Sequence, residues 1–468
     1  MNGQADTEYG RDAALYRPIY ETGRGFYIAV FVLLALYGWA TYMYFSQVQS
    51  GLGITGMNQP ITWGFYIVNF VFFIGISHAG TLISAILRLS KAEWRRPITR
   101  MAEVITAIVL AIGGLHPILD MGRPDRMLNL FTAGRLQSPL LWDVTSITAY
   151  FAASTVYLYL PMIPDVARLR DRGGKMRKFY AFLAWGWRGT DRQKKILNRA
   201  INILMVMVIP IAISVHTVIS YIFSMTLQPG WHSTIFGPYF VVGAIFSGIA
   251  ALLVFMIAFR KAYHLEGYLK EIHFQYLGTL LLIMSLLWFY FTFSEFLTAV
   301  FGSEPHEMEI VWYKFTGPFA IYFWTMVACN FVIPVVILAV RRFKTIKGVL
   351  IASIAVLIGM WLERFIIVVP SLANPRIDVG HAIYIPALVE WALFIGGLSV
   401  FVLGFMLFAK FFPLISIWEI EEGREHSLEE VEGRVRSYLP DNHGGGRPAG
   451  SSPESGIDRV TDPQEYPQ

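Results

Sequence analysis

Several ionisable side chains fall inside long apolar stretches of this 468-residue sequence. A charged side chain at the centre of a bilayer costs at least ~2.5–3.5 kcal/mol on insertion scales, so each of these residues needs a partner or a function. Most of them lie towards the end of a stretch that is predicted below to face outward. The set comprises His78, His116, Asp120, Asp143, His216, Glu295, Glu363, Arg364 and Glu390.

Carboxylates and imidazoles near one membrane face suit the oxidation of a quinol, which releases protons together with electrons. The hydroxyl groups of a quinol need acceptors within hydrogen-bonding distance, and an acid or a histidine in a desolvated site can take the proton. Trp63, Tyr66, Trp142 and Tyr150 could line an apolar pocket for the ring. Aromatic belts at the membrane interfaces are the simpler explanation of the same residues.

The same residues do not predict a redox centre within the chain. Haem ligation inside a helical bundle needs paired histidines at matched depths, and His78, His116 and His216 do not provide two such pairs. The single cysteine, Cys329, leaves no thiolate set for zinc or an iron–sulfur cluster. We therefore expect no metal site, haem or iron–sulfur cluster in this chain, and a partner protein must take the electrons.

The elements that must position these residues are membrane-spanning helices. Hydrophobic residues make up 55% of the chain and charged residues 15%, against roughly 25% charged in an average soluble domain. A helix crosses a bilayer with about 20 apolar residues. Period-two alternation is absent, so the predicted fold is all-α and polytopic, with about ten transmembrane helices. The apolar stretches are 24–47, 61–88, 98–118, 140–161, 199–226, 234–260, 273–300, 316–341, 346–369 and 384–412.

Lysine and arginine are concentrated in alternate connections, and this predicts the orientation of the chain. They are frequent in the N-terminal tail and in connections such as 162–198, and they are rare in the connections between. By the positive-inside rule, both termini are expected in the cytoplasm. The basic residues behind the formal net charge of +5 are then explained by the orientation of the chain in the membrane. We therefore expect membrane lipids, and no nucleic acid, as partners.

The domain organisation follows from these stretches. Residues 1–23 form a predicted cytoplasmic tail, 24–412 the ten-helix transmembrane domain, and 413–468 a second cytoplasmic tail. The stretch DNHGGGRPAGSSPESG in that tail has too little apolar surface to fold alone, so we expect the end of the tail to be largely disordered.

A weak internal repeat relates YIVNFVFFIGI, from Tyr66, to YFVVGAIFSGI, from Tyr239. Both segments are predicted to run from outside to inside, so the repeat would be parallel. It predicts two units of four helices, at 61–226 and 234–369. Chance recurrence of aromatic and small residues in apolar helices is the alternative explanation.

Several longer motifs resemble a known family. They include WGFYIVNFVFFIGISHAGTLISAILRL at 63–89, DMGRPDR at 120–126, SPLLWD at 138–143 and MWLERFIIVVPSLANPR at 360–376. On these motifs the chain up to about residue 420 resembles the NrfD/PsrC family of quinone-interacting membrane subunits, and most nearly the ActC-type subunit of bacterial alternative complex III. The resemblance implies two four-helix bundles with flanking helices, in the bacterial cytoplasmic membrane.

The resemblance also implies a function within a larger enzyme complex of respiratory or photosynthetic electron transport. The substrate would be menaquinol, bound near the periplasmic face. The implied partners are a periplasmic iron–sulfur subunit that takes the electrons, multihaem cytochrome c subunits, and a paralogous NrfD-like membrane subunit. Proton translocation through the bundles is a further property that the resemblance implies.

The resemblance implies that two acids act at the quinol site, and Asp143 is the one that matches the family by motif. Asp143, in SPLLWD, is expected to accept one hydroxyl proton. Asp120 is expected to accept or relay the second, although relatives often have histidine there, in an H-x-G-R-P pattern. Arg123 would hold the acids. The remaining predicted quinol-binding residues are His78, Trp142 and Tyr66, and the proton-relay candidates are His216, Glu295, Glu363, Arg364 and Glu390.

Other roles remain open for this pattern. Glu295, Glu390 and the Glu363–Arg364 pair could serve structure alone, as ion pairs or interfacial groups. A proton-translocating or scaffold paralogue of the ActF type would use the same acids without a substrate quinol. A secondary transporter also uses polar residues at membrane depth, but the repeat here is parallel and no helix is evidently broken.

Overall fold

The computed structural model describes residues 13–377 and 383–424, and its regular elements within those ranges are all helical. Ten helices are long and apolar enough to span a membrane, which confirms the predicted all-α polytopic fold. They are α1 (Arg24–Ser50), α2 (Phe65–Leu89), α3 (Thr99–Asp120), α4 (Pro139–Asp171), α5 (Asp191–Ser224), α6 (Phe236–Ala262), α7 (Glu271–Gly302), α8 (Ala320–Ala339), α9 (Ile346–Ala373) and α10 (Leu388–Phe411).

Shorter helical elements connect the spans. Two spans also extend beyond their predicted ends, because α4 continues to Asp171 and α5 begins at Asp191. The start of α5 is polar, and a capping box in which Thr190 accepts from the Gln193 amide at 3.3 Å stabilises it, so hydropathy alone does not detect it. The short elements are Ala13–Tyr20, Leu52–Ile54, Glu93–Arg95, Pro124–Arg126, Asn129–Thr132, Arg177–Leu183 and Pro305–Phe315.

The eight helices α2–α9 pack as two bundles. In the first bundle α2 contacts α3, α3 contacts α4, α4 contacts α5, and α5 returns to α2; the second bundle, α6–α9, closes in the same order. Helices α1 and α10 pack on each other, and α10 also contacts α2 and α3. The bundles meet where α2 packs on α6 and α9, and where α5 packs on α6. This arrangement agrees with the four-helix units that the repeat predicts.

Small residues bring the central helices close together. A Cβ atom added to Gly80 on α2 would lie 1.7 Å from the Ala102 carbonyl oxygen on α3. On α6, a Cβ atom added to Gly243 would lie 2.7 Å from a guanidinium nitrogen of Arg364. Close backbone approach at small residues is the usual way in which helices associate within a bilayer.

Helix α8 contains a π-helical turn, Ala328–Val332, which has an identifiable cause. Pro334 has no amide hydrogen, so it cannot donate to the carbonyl of Asn330 one turn earlier. The Ser285 hydroxyl on α7 donates to that carbonyl at 2.6 Å instead. Hydrocarbon offers no hydrogen bonds, so a helix irregularity at this depth requires such a partner from a neighbouring helix.

A buried ion pair holds the predicted inward end of the first bundle. Arg100 on α3 donates to Asp165 on α4 at 2.5 Å, and both side chains are at most 1% exposed. The Asp165 carboxylate also accepts hydrogen bonds from the backbone amides of Ile417 (3.1 Å) and Trp418 (2.9 Å). Asp165 therefore joins α3, α4 and the chain that follows α10.

The segment 413–424 packs against this end of the bundle. Leu414, Ile415 and Ile417 are buried. Glu419 forms ion pairs with Arg88 and with Arg95, the latter at 3.0 Å. The predicted tail 413–468 therefore begins with a packed segment, because the apolar residues and the acid that anchor it lie just after the end of α10. The rest of the predicted tail, from 425, lies outside the described residues.

Asp165→Asn should lower the melting temperature of the purified protein markedly. The change removes the carboxylate that pairs directly with the buried guanidinium of Arg100, and removing one partner of a buried pair typically costs ~3–5 kcal/mol. Asp125→Asn, at the exposed pair with Arg123, is the matched control and should cause no measurable shift. Equal melting temperatures for the two variants would contradict this account.

Lowering the pH should detach the segment 413–424 from the first bundle. Burial by itself would raise the pKa of Glu419, but the guanidinium groups of Arg88, Arg95, Arg100 and Arg96 outweigh it and hold that pKa below its ordinary value of 4.5. A carboxylate whose pKa is lower in the folded than in the unfolded chain stabilises the fold above the unfolded value, and this contribution is lost as the pH falls.

The protection factors of the amides of 417–424, which compare each exchange rate with that of an unfolded amide at the same pH, should therefore be high at pH 7 and should drop as the pH falls below about 4.5. In Glu419→Gln these amides should already exchange faster at pH 7, and the acid transition should shrink. An undiminished acid transition in that variant would assign the effect to a different carboxylate.

Candidate functional site

One group of predicted residues meets at the predicted outward end of α2, α3 and α10. Asp120 is the last residue of α3, and it interacts electrostatically with Glu390 and Tyr66. The Tyr66 hydroxyl, which is buried, donates to Gln47 Oε1 at 2.5 Å. Gln47 Nε2 donates to the Leu119 carbonyl at 2.8 Å. We name Asp120, Tyr66, Gln47 and Glu390 the outer cluster.

Glu390 is the most constrained member of the outer cluster. One carboxylate oxygen accepts from the amides of Gly56 (2.7 Å) and Ala387 (2.8 Å). The other accepts from the Tyr384 hydroxyl. Glu390 thus holds the connection before α2 and the connection before α10 against the start of α10. This contact is structural, which is one of the two roles considered for Glu390 in the sequence analysis.

Asp143 is buried on α4, with 2% of its surface exposed. Its Oδ1 atom has no hydrogen-bond partner in the part of the chain that the structure describes. Gly114 on α3 lies against Ile147 on α4, and the two helices are antiparallel. Asp143 therefore lies beside residues 117–118 of α3, within about one helical turn of Asp120 in depth. Over the described ranges, no hydrogen bond or ion pair joins the two acids.

Trp142 and Arg123 lie apart from the two acids. Trp142 is 37% exposed, and its Nε1 donates to the Leu136 carbonyl at 2.5 Å, so it packs on the connection before α4. Arg123 was expected to hold the acids, but it pairs with Asp125 at 3.0 Å, because the turn Pro124–Arg126 brings these exposed side chains together. That hydrogen bond holds the pKa of Asp125 below its usual value.

His78 on α2 and His216 on α5 form a buried pair inside the first bundle. Their ring centroids are 3.7 Å apart, and both side chains are fully buried. His78 Nε2 donates to the Ala212 carbonyl at 2.6 Å, because a carbonyl oxygen can only accept. Neither ring nitrogen of His216 has a hydrogen-bond partner within the described ranges. The two residues therefore act as one structural unit.

Glu363 and Arg364, on α9, lie where the two bundles meet. Glu363 Oε2 is 2.6 Å from Arg364 Nη1, and both side chains are at most 2% exposed. Trp288 Nε1 donates to the other oxygen of Glu363 at 2.6 Å. The Arg364 guanidinium lies over the Phe240 ring of α6 and interacts electrostatically with His216. The ion pair therefore lies within α9 of the second bundle, and Arg364 links it electrostatically to His216 of the first bundle.

Glu295 belongs to a separate cavity in the second bundle, with a volume of about 40 Å³, which is enough for a few water molecules. Glu307, Lys314 and Glu363 also line it. Glu295 Oε2 accepts from the Ser233 hydroxyl at 2.5 Å. Burial lowers the pKa of Lys314 to about 8, although the negative charges of Glu295 and Glu307 act to raise it.

The sequence-based prediction missed three residues that the structure places in polar groups. Glu103 on α3 is 2% exposed and accepts from the Ser84 hydroxyl at 2.7 Å. It lies inside the predicted stretch 98–118, so the criterion applied to the other acids would have found it. Gln47 on α1 contacts Tyr66, and Tyr384 in the connection before α10 contacts Glu390, and no local sequence signal marks either residue.

Proton acceptance is the chemistry that these groups offer. One carboxylate oxygen of Asp143 has no partner in the described ranges, and Asp120 lies at similar depth. Buried carboxyl groups are suited to take protons from a bound hydroxyl. Within residues 13–377 and 383–424, no three His, Cys, Asp or Glu side chains are grouped as a metal site would require.

Proteins of similar sequence are known from reductase complexes. The chain is 26% identical over 434 residues to a protein of Halobacterium salinarum provisionally named as a membrane subunit of dimethyl sulfoxide reductase, and the match covers 86% of this chain and 95% of that protein. It is 23% identical to a subunit of the selenate reductase of Mesobacillus selenatarsenatis, over 83% of this chain and 93% of the relative.

A third relative is the Hdr-like menaquinol oxidoreductase integral membrane subunit of Archaeoglobus fulgidus, 22% identical over 85% of this chain and 95% of that protein. The profile of the family described as polysulphide reductase, NrfD, matches residues 53–375, a range that runs from the connection before α2 to the end of α9. With that match over more than half of its length, the chain belongs to the NrfD family of membrane subunits.

Proposed function

We propose that this chain is the quinol-binding membrane subunit of a multisubunit oxidoreductase and that it oxidises menaquinol. The observation that carries the proposal is Asp143, a buried carboxylate at the predicted outward end of the first bundle, one of whose oxygens has no hydrogen-bond partner among the described residues. The names of the relatives support it, since one is a menaquinol oxidoreductase subunit and two are subunits of reductases.

In the proposed reaction, the quinol loses its two hydroxyl protons and its two transferable electrons and becomes the quinone. Asp143 accepts the first proton, since its free oxygen can receive a hydrogen bond from the hydroxyl. Asp120 accepts the second proton at similar depth, and Tyr66 and Gln47 hold the outer cluster around it. The electrons leave for a partner protein, so the chain is active only as part of the complex.

The more specific assignment within this proposal is an alternative complex III of the ActC type. The partners would be a periplasmic iron–sulfur subunit, multihaem cytochrome c subunits and a paralogous membrane subunit. The motifs SPLLWD and DMGRPDR support this assignment. Both termini would lie in the cytoplasm of a bacterial cell, as the distribution of lysine and arginine predicts.

Proton movement is a second candidate function. It is favoured by the buried histidine pair, by the Glu363–Arg364 pair beside it, and by the cavity that Glu363 shares with Glu295. Such a function would accompany quinol oxidation in this complex, or would replace it in a paralogue that binds no quinol.

Asp143→Asn should abolish menaquinol oxidation while the complex still assembles. The amide keeps the size of the side chain but cannot accept a proton, and general base catalysis is worth roughly 10²–10⁴-fold in rate. We expect kcat of the isolated complex to fall at least about 100-fold. Asp125→Asn, at an exposed acid in the connection before α4, should leave kcat unchanged. Normal turnover by the Asp143 variant would refute its assignment.

Purification of the tagged chain from native membranes in mild detergent tests the partners. We expect iron–sulfur and multihaem cytochrome c subunits to co-purify, because this chain has to pass its electrons to another protein. Mass spectrometry identifies what is bound. A chain that purifies alone, or only with copies of itself, would argue against the oxidoreductase and favour transport.

A further inference from the structure

A shallow groove of about 710 Å³ follows the first half of α5, from Lys195 to Met207. All the side chains that line it come from this one helix, and they share a face because they recur every three or four residues. The opposite face of α5, which includes Leu197 and Ile201, is buried in the first bundle. The groove therefore points away from the protein.

The first part of the groove is polar and positively charged. It holds an amine, a guanidinium group and two amides within four residues on one face, which are Lys195, Asn198, Arg199 and Asn202. From Lys195 to Asn202 the helix rises by roughly 10 Å. These four side chains offer only hydrogen-bond donors at their charged ends, and the amides can donate as well as accept.

The second part of the groove is apolar and reaches the hydrocarbon layer. Its residues are Ile203, Val206 and Met207, whose side chains are 51–56% exposed. Helix α5 ends at Ser224, at the predicted outward face. A helix crosses the hydrocarbon layer in about 20 residues, so the inner boundary of that layer lies near Ile203. The groove thus changes from polar to apolar where the membrane does.

The connection before α5 also has the side chains of a membrane interface. The Tyr180 hydroxyl donates to the carbonyl of Phe411, the last residue of α10, at 3.0 Å. This contact holds the short helix Arg177–Leu183 at the inward end of a span. Phe182 is 81% exposed and Trp185 is 80% exposed. Aromatic side chains in such positions anchor a protein at the level of the lipid headgroups.

Positive charge surrounds the polar part of the groove. Residues 172–207 include nine lysines and arginines and a single acid, Asp191. Neither Lys195 nor Arg199 forms an ion pair with another side chain in the ranges that the structure covers. Two cations that lack a protein counter-charge at the edge of the hydrocarbon layer attract an anion that lies at the same depth.

We propose that this groove binds an anionic glycerophospholipid from the predicted cytoplasmic leaflet. The phosphate lies between Lys195 and Arg199, and the amides of Asn198 and Asn202 donate to phosphate and glycerol oxygens. An acyl chain covers the apolar part of the groove. The inference goes beyond quinol oxidation and does not depend on it.

The two-part groove favours this ligand over other anions. A soluble anion would pair with the cations but would not contact the apolar part. A zwitterionic phospholipid carries an ammonium group beside its phosphate, and the two cations repel that group. A helix of a partner subunit would have to place acids at the membrane boundary, whereas an anionic phospholipid carries its charge there by its own structure.

Photocrosslinking from the apolar part of the groove tests the proposal in the purified complex. The complex carries a photocrosslinking amino acid at position 206 and is placed in nanodiscs with equal amounts of phosphatidylglycerol and phosphatidylcholine. Mass spectrometry of the crosslinked lipid gives the ratio of the two. We expect phosphatidylglycerol to exceed phosphatidylcholine in the unsubstituted groove.

Lys195→Gln/Arg199→Gln should lower that ratio about 30-fold, because each basic residue near the membrane surface contributes about fivefold to the binding of an anionic lipid. Arg341→Gln/Arg342→Gln removes the same charge from another exposed, predicted cytoplasmic connection and should leave the ratio unchanged. An excess of glycerol 3-phosphate, which has no acyl chain, should not alter the ratio either. All three proteins should have the same melting temperature, because the substituted side chains are exposed.

Three results would overturn the proposal. The first is an unchanged ratio in the groove variant, and the second is an equal fall in the control variant, which would make the preference a general effect of surface charge. The third is a crosslink from position 206 to another protein, which would assign this face of α5 to a subunit interface. Quinol turnover is not measured, so a failure of the proposed oxidoreductase function would leave this test intact.

Discussion

Hydrocarbon cannot hydrogen-bond a polar group, and this constraint organises most of the molecule. Ser285 satisfies the carbonyl that Pro334 frees in α8. Asp165 uses both oxygens on Arg100 and on two amides of the segment after α10. Against this background, the buried groups that lack partners are informative. In the described parts of the chain the Asp143 oxygen and the His216 ring nitrogens are such groups, and each is a place where a ligand, a water molecule or a proton can bind.

The ten helices could be predicted from the sequence because each depends on local composition. A run of about 20 apolar residues specifies a span without reference to the rest of the chain. Where the start of a helix depends on a cap, as at Thr190, hydropathy gave the wrong boundary.

The candidate site was only partly accessible from the sequence, because its contacts join distant segments. Asp120 and Glu390 are 270 residues apart and meet because α10 packs on α2 and α3. Gln47 and Tyr384 complete that group from α1 and from the connection before α10. For Arg123 the motif predicted contacts with the acids of the quinol site, but the tight turn at Pro124–Arg126 pairs it with its neighbour Asp125. The positions of Asp143 and Asp120 at similar depth agree with the prediction, while their roles remain proposals.

The pairing of Asp165 with residues far along the chain has a consequence for biosynthesis. Helices α3 and α4 are inserted in the membrane long before Ile417 and Trp418 have been synthesised. Until then, Asp165 and the arginines around Glu419 lack several of their final partners. The predicted cytoplasmic end of the first bundle can therefore reach its final packing only when translation is almost complete. A chain truncated near α10 would reach the membrane with all ten spans and would still present quality-control proteases with an unfinished surface.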